Sequence, residues 1–233
     1  MTWNTGISGW EDSVNNSVRY TQIVERIKGY LTKENSIAFL QEIPCKKVND
    51  GKWTIHPLFK KLQRDFKKDN YTILCNDTSN NGYLLMMTIV IAVKDSVTQA
   101  TNKAIYPNNI PTNRECAVMF HGLNILGIHA KNGKDNDPYL KSLNDQADIL
   151  LGDFSAGNYT ESKNRFTFNN ILKEHVCICN TPTRVDPKSK RRTCIDHIFV
   201  RNNLVSRCAN MRVHENITLS DHFPLTFEMT VSS

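Results

Sequence analysis

The chain has 233 residues, 39% of them hydrophobic, with a formal net charge of +6. This is enough apolar material for a sizeable core, and the length suits one large domain spanning residues 1–233, so a disordered or low-complexity chain is excluded. The longest apolar run, Leu84 to Val93, is too short to cross a bilayer, and the seven cysteines form no regular disulfide or zinc framework.

Met1-Thr2-Trp3-Asn4 lacks the basic-then-apolar pattern of a signal segment, and Trp3-Asn4 reads as the end of a first strand that is very short or truncated. Residues 17–33 place Tyr20, Ile23, Val24, Ile27, Tyr30 and Leu31 on one face at helical spacing. Ile37 to Leu40 is a short apolar strand that ends at Gln41-Glu42, and residues 57–68 read as a basic amphipathic helix. Tyr71 to Cys75, Tyr83 to Val93, Glu115 to Phe120 and Ile125 to His129 read as strands, the last two joined by a hairpin turn at His121-Gly122-Leu123-Asn124. Asp137-Pro138 opens a helix that carries Leu140, Leu143 and Ala147, with Asp137 as its N-cap. The strand Ile149-Leu150-Leu151 then stops at Gly152-Asp153. A helix near 162–174 and strands at Val176 to Cys179, Ile195 to Val200 and Pro224 to Met229 complete the chain. Strands outnumber helices and helices fall between them, so the expected class is α+β, with two packed sheets flanked by helices.

Acids and histidines recur at the ends of these apolar runs: Glu42, His129, Asp153, Asp196 and the pair Asp221-His222. Strand-end side chains converge at one end of a sheet, where ligands commonly bind. Glu42 and Asp221 are candidate hard ligands for Mg²⁺ or Mn²⁺. His222 is the candidate general base, with Asp196 accepting its other N–H and fixing the tautomer. His129 is a candidate proton donor or phosphate ligand, and Asp153 a candidate for aligning the attacking water. His197 points away from Asp196 by strand alternation and is expected to be structural. Two basic runs stand out, Lys60 to Lys68 and the cluster Arg184, Lys188, Lys190, Arg191 and Arg192. Either reads as a solvated face, but the second lies close in sequence to Asp196, where a polyanionic substrate is the sharper reading. The chain has no Gly-x-x-x-x-Gly-Lys loop, no Gly-x-Ser-x-Gly elbow and no His-Glu-x-x-His.

Taken in order, Trp3-Asn4, Leu40-Gln41-Glu42, Ile128-His129, Gly152-Asp153-Phe154, Ile195-Asp196 and Ser220-Asp221-His222-x-Pro224 resemble the endonuclease/exonuclease/phosphatase superfamily over nearly the whole chain. The resemblance implies a four-layer α/β sandwich and a divalent metal, most often magnesium. It implies that Glu42 binds the metal with Asn4 and Asp221 near it. It also implies that His222, supported by Asp196, polarises water or stabilises the scissile phosphate. Arg114 resembles a family arginine that approaches the nucleic-acid backbone. His129 stands where the deoxyribonuclease-like branch has a His and AP endonucleases tend to carry a Tyr, which tilts the expectation away from abasic-site repair. The stretch from Pro182-Thr183-Arg184 to Val200 looks most like retrotransposon-type endonucleases.

One position departs from the pattern. The family has Gly-Asp-Phe-Asn or Gly-Asp-Leu-Asn, whereas this chain has Gly152-Asp153-Phe154-Ser155. A serine hydroxyl is shorter than the missing amide and cannot present the same two-ended group; Asn158, three residues on, is the candidate substitute. The expected activity is a Mg²⁺- or Mn²⁺-dependent nuclease acting on DNA as a monomer inside the cell, cytoplasmic or nuclear, with no membrane partner. Arg184, Arg191 and Arg192 would grip the backbone with weak sequence preference. Two rivals stand beside it: a phosphatase or phosphodiesterase for a small or lipid-linked ester, and a binding module weakened at Ser155.

Overall fold

The computed structural model describes residues 1–7, 14–32, 35–77, 84–156, 168–179 and 181–231. The chain runs β1 (Thr2–Asn4), α1 (Val14–Tyr30), β2 (Ile37–Asn49), β3 (Lys52–Ile55), α2 (Pro57–Lys67), β4 (Tyr71–Cys75) and β5 (Leu84–Val93). It continues through β6 (Val97–Gln99), β7 (Glu115–Phe120), β8 (Leu123–His129), α3 (Asn136–Lys141) and β9 (Ile149–Asp153). The last strands are β10 (His175–Cys177), β11 (Arg184–Val185), β12 (Arg192–Thr193), β13 (Asp196–Arg201), β14 (Cys208–Val213) and β15 (Leu225–Met229).

Among the described residues, one sheet has the order β14-β15-β1-β2-β5-β4 with β3 paired to β2, and the second has the order β10-β13-β9-β8-β7-β6. Both are mixed: β1 runs parallel to β2 and β8 parallel to β9, while the other pairs are antiparallel.

Strand alternation sorts the apolar side chains into three layers of core. In β2, Ala38 and Leu40 face α1 and α2, meeting Tyr20, Ile23 and Ile27 of the first helix and Leu62 and Phe66 of the second. Phe39, between them, faces the other sheet with Val90, Val118, Ile149, Leu151, Ile198 and Val200. On the far side of the second sheet, Leu126, Ile128, Leu150 and Phe199 pack against Leu140 of α3 and against Phe154 and Phe168. The result is the expected four-layer arrangement, helix on sheet on sheet on helix. No helix among the described residues is long and apolar enough to cross a membrane.

Several expectations need correction. The strand from Ile37 does not end at Gln41-Glu42. It continues to Asn49, with a register shift between Leu40 and Ile43 where Glu42 takes a left-handed φ of 58°. The helix at Asp137-Pro138 starts at Asn136 and ends at Lys141. Asp137 lies inside it, bonded to Lys141 at 2.6 Å, and makes no N-cap. Leu143 and Ala147 come after that helix but still join its core. Of the helix near 162–174, residues 168–171 are helical, and residues 157–167 lie outside the described part. The stretch from Arg184 to Arg192 is a two-stranded hairpin rather than a plain loop. Two further strands, β3 and β14, carry mostly half-exposed or exposed side chains, so no apolar run announces them.

Two glycines let backbone and side chain approach closely. A Cβ on Gly127 would lie 2.4 Å from the Phe39 ring, so this position clears space for the residue that joins the sheets. Gly152 has φ +131°, and a Cβ there would lie 2.1 Å from the Ile128 carbonyl oxygen. Gly152→Ala should therefore destabilise the fold by more than about 1 kcal/mol, since both the conformation and the space exclude a side chain. Urea unfolding measures this, and an unchanged midpoint would contradict the close packing of β8 on β9.

Candidate active site

The site forms where strand ends of both sheets meet. Asn4 ends β1, Glu42 sits at the irregularity in β2, His129 ends β8, Asp153 ends β9 and Asp196 begins β13. Register brings three of them together: His129 and Asp196 are the strand partners of Asp153 on either side. His222 arrives on the segment before β15, held there because its carbonyl accepts the Trp3 indole N–H at 3.0 Å.

His222 and Asp196 form the most buried pair. Imidazole Nδ1 lies 3.0 and 2.9 Å from the two carboxylate oxygens. Thr183 completes the arrangement: its hydroxyl donates to Asp196 Oδ2 at 2.7 Å and accepts the Asp196 and Ile195 backbone N–H groups. The opposite ring nitrogen, Nε2, points to Asp153 Oδ2 at 3.8 Å.

In the second half of the site one acid, Glu42, is accessible to solvent. The Asn4 amide donates to Asp153 Oδ2 at 2.8 Å and to Glu42 Oε1 at 3.2 Å, so one nitrogen bridges two acids. His129 Nε2 lies 3.5 Å from Glu42 Oε1 and 4.0 Å from Asp153 Oδ2. The Glu42 side chain is 36% exposed, in contrast to the buried Asp153 and Asp196. An accessible carboxylate beside a second one suits a hard cation that keeps part of its hydration shell. Single ligand atoms of Asp153, Asp196 and His222 also lie within 4.8 Å of one another. There, however, Asp196 already spends both oxygens on His222 and Thr183.

The remaining sequence candidates are more peripheral. Asp221 is held by Arg184, whose Nε donates to Oδ2 at 2.8 Å. Arg114 donates to the backbone carbonyls of His129 and Ala130 at 3.1 and 3.0 Å, fixing the end of β8. Ser155 closes a turn on Asp153, its N–H donating to Oδ1 at 2.7 Å, with φ at 47°. Arg191 is exposed on the β11–β12 hairpin, and Arg192 pairs with Glu215 and lies 6.0 Å from the Phe223 ring. Asn158 lies outside the described residues. His197 packs among Phe154, Phe168 and Phe199, as its alternation predicted.

Sequence reasoning gave no role to Thr183 and Ser220, which it met only within motifs, and missed Arg19. Ser220 donates to the Asn4 carbonyl at 2.9 Å and accepts the His222 N–H at 3.2 Å. A hydroxyl that touches a distant acid has no periodicity to betray it. Only the position of Thr183 between Pro182 and the basic Arg184 that opens β11 could have drawn notice.

Burial and charge separate the ionisable groups. Burial lowers the pKa of His222, but Asp196, Asp153 and Asp221 outweigh it and push it up from 6.5 to about 9, so this imidazole is charged at neutral pH. Burial also leads for His129 and is not outweighed by Asp153 and Glu42, so its pKa falls. For Asp153 burial acts upward, yet His222, His129 and Asn4 together hold it below the usual carboxylate range. Asp196 is raised, chiefly by burial.

No protein-family model matches this chain, and no curated protein matches it in sequence. Solved structures do resemble it. The 3′ phosphatase NExo from Neisseria, bound to a product DNA hairpin, is 18% identical with a TM-score of 0.62 over 98% of both chains. The endonuclease domain of TRAS1, a telomere-specific non-LTR retrotransposon, is 14% identical with a TM-score of 0.61 over 99% of this chain and 96% of that one. An AP endonuclease from Archaeoglobus fulgidus is 14% identical with a TM-score of 0.63, over 99% of this chain and 98% of that one. Likeness at this identity establishes the shared fold.

The charge on His222 has a measurable consequence. Its folded pKa stands above its ordinary value, so the folded state binds the extra proton between about pH 6.5 and about 9. The stabilisation is therefore complete below pH 6.5 and is lost as pH rises through about 9. In Asp196→Asn the largest upward influence is gone, and NMR titration should place the His222 pKa well below that of the unaltered protein. An unshifted pKa would rule out Asp196 as the source of the charge.

Proposed function

We propose that this chain, which has the endonuclease/exonuclease/phosphatase fold, is a metal-dependent phosphodiesterase that cleaves DNA. One observation carries the reading: two imidazoles and a bridging amide converge on Asp153 Oδ2, with Glu42 on the same amide. A buried acid at the focus of two histidines, beside the more accessible Glu42, is equipped to handle a water molecule against a phosphate ester.

Asp153, held ionised, orients water and takes its proton as the oxygen attacks phosphorus. His222, held charged, is a hydrogen-bond donor to a phosphoryl oxygen; a protonated ring cannot act as the base, so that role passes to Asp153. His129, kept neutral by burial, hydrogen-bonds the departing oxygen as the phosphorus–oxygen ester bond breaks. Glu42, with Asp153 and the Asn4 amide beside it, would hold Mg²⁺ or Mn²⁺, which supplies positive charge against the developing phosphoryl charge.

The exposed basic hairpin between Arg184 and Arg192 favours a polymeric substrate over a small ester. Its contacts would fall on phosphates, so binding should weaken steeply with salt and discriminate little between sequences. Salt-independent substrate binding would favour the small-ester rival.

Nicking of supercoiled plasmid tests the reading. The protein should nick DNA only with Mg²⁺ or Mn²⁺ present, and Glu42→Ala and His222→Ala should abolish nicking; full activity in either variant overturns the assignment. Ser155→Asn is a second test. The left-handed φ of 47° at this position suits Asn better than Ser, so the variant should remain stable. It should also raise turnover, by up to about 10²–10³-fold if the amide restores a positioning contact. No gain would show that Ser155 is already sufficient in this site.

A further inference from the structure

We propose that Arg19 of α1 is a positioning residue that locks Asn4 and the Asp221-His222 segment into one geometry. This rests on the phosphodiesterase reading above. The guanidinium donates to three main-chain carbonyls: Nη1 to Gly6 at 3.1 Å, Nη2 to Thr5 at 2.5 Å and Nε to Leu219. Thr5 and Gly6 directly follow Asn4, and Leu219 closely precedes Asp221 and His222. One half-buried side chain therefore spans two segments from opposite ends of the sequence.

The side chains of Ser220, Asp221 and Arg19 meet around Gly6. Gly6 has φ +50°, and a Cβ there would lie 3.4 Å from Ser220 Oγ, 3.7 Å from Arg19 Nη2 and 3.9 Å from Asp221 Oδ1. The Ser220 hydroxyl adds a second stitch to the Asn4 carbonyl at 2.9 Å. Burial disfavours the Arg19 charge, while Asp221 and Glu42 favour it, which places the cation in the field of both acids. Arg19 donates to carbonyls of both segments, and its action passes through Asn4 and the Asp221-His222 segment rather than through the reacting atoms.

Arginine suits this task because its planar fork aims several N–H groups at once. A lysine would keep the charge but concentrate it at one point, and could not satisfy carbonyls along both segments. The left-over carbonyls would turn to water and the segment before β15 would loosen. Small misplacements of catalytic groups cost rate far more than they cost binding, on the order of 10²-fold for about 1 Å.

The test compares Arg19→Ala and Arg19→Lys with the unaltered protein in the plasmid assay, in backbone hydrogen exchange and with added guanidinium ion. Arg19→Ala should lose about 10²-fold in kcat with little change in KM. It should also exchange faster at residues 216–223, and free guanidinium at millimolar concentration should restore part of its activity but none of that of Glu42→Ala. Arg19→Lys, which preserves the charge, should still lose about tenfold or more, and it decides the matter if the alanine variant does not fold. Wild-type kcat in the lysine variant, or a loss in the alanine variant that guanidinium leaves untouched, would overturn the positioning role. If the unaltered protein does not cleave DNA, the functional reading fails, and hydrogen exchange still tests Arg19: unchanged protection at residues 216–223 refutes the clamp.

Discussion

Asp153 and Asp196 are buried carboxylates at partner positions on adjacent strands, and the site is organised around that fact. Two like charges sunk side by side cost several kcal/mol unless a cation and hydrogen bonds compensate them. His222 provides the cation, with one ring nitrogen on Asp196 and the other toward Asp153. Thr183, Ser155 and Asn4 provide the hydrogen bonds. The division of labour between the two acids follows from what surrounds each. Asp196 spends its oxygens on structure, while Asp153 keeps one oxygen at the meeting point of both imidazoles.

Holding this arrangement requires distant parts of the chain. The Trp3 indole fixes the carbonyl of His222, and the Ser220 hydroxyl fixes that of Asn4, so the first strand and the last loop define each other's position. The hairpin of β11 and β12 is tied to the same loop: Val185 donates to the Asp221 carbonyl at 2.9 Å and Phe223 donates to that of Thr183 at 2.7 Å. These main-chain bonds set the hairpin beside the loop that carries Asp221 and His222. The likeness to solved structures at 14–18% identity establishes the shared fold.

Much of the fold was legible because it rests on patterns that sequence displays. Short apolar runs in β2, β8, β9 and β13 announced the core strands, and helical spacing from Tyr20 to Leu31 announced α1. The elements that were missed or misread lack such patterns. β14 and β3 expose many of their side chains, so they carry no apolar run. The continuation of β2 past Glu42 was hidden by the bulge itself, because a left-handed residue inside a strand breaks the alternation that would reveal it.

The sequence by itself showed acids and histidines at the ends of its apolar runs, and so the candidates Glu42, His129, Asp153, Asp196 and His222, to which the resemblance added Asn4. Apolar run length is a local property, and it marks where polar residues follow a buried stretch without knowledge of the partner strand. What only the tertiary structure decided is which of those groups is charged and what each one touches. The protonation of His222, the neutrality of His129 and the bond from Asp221 to Arg184 depend on burial and on neighbours far away in sequence. Electrostatic energy depends on distance through space and on desolvation, and neither quantity is written in the order of residues.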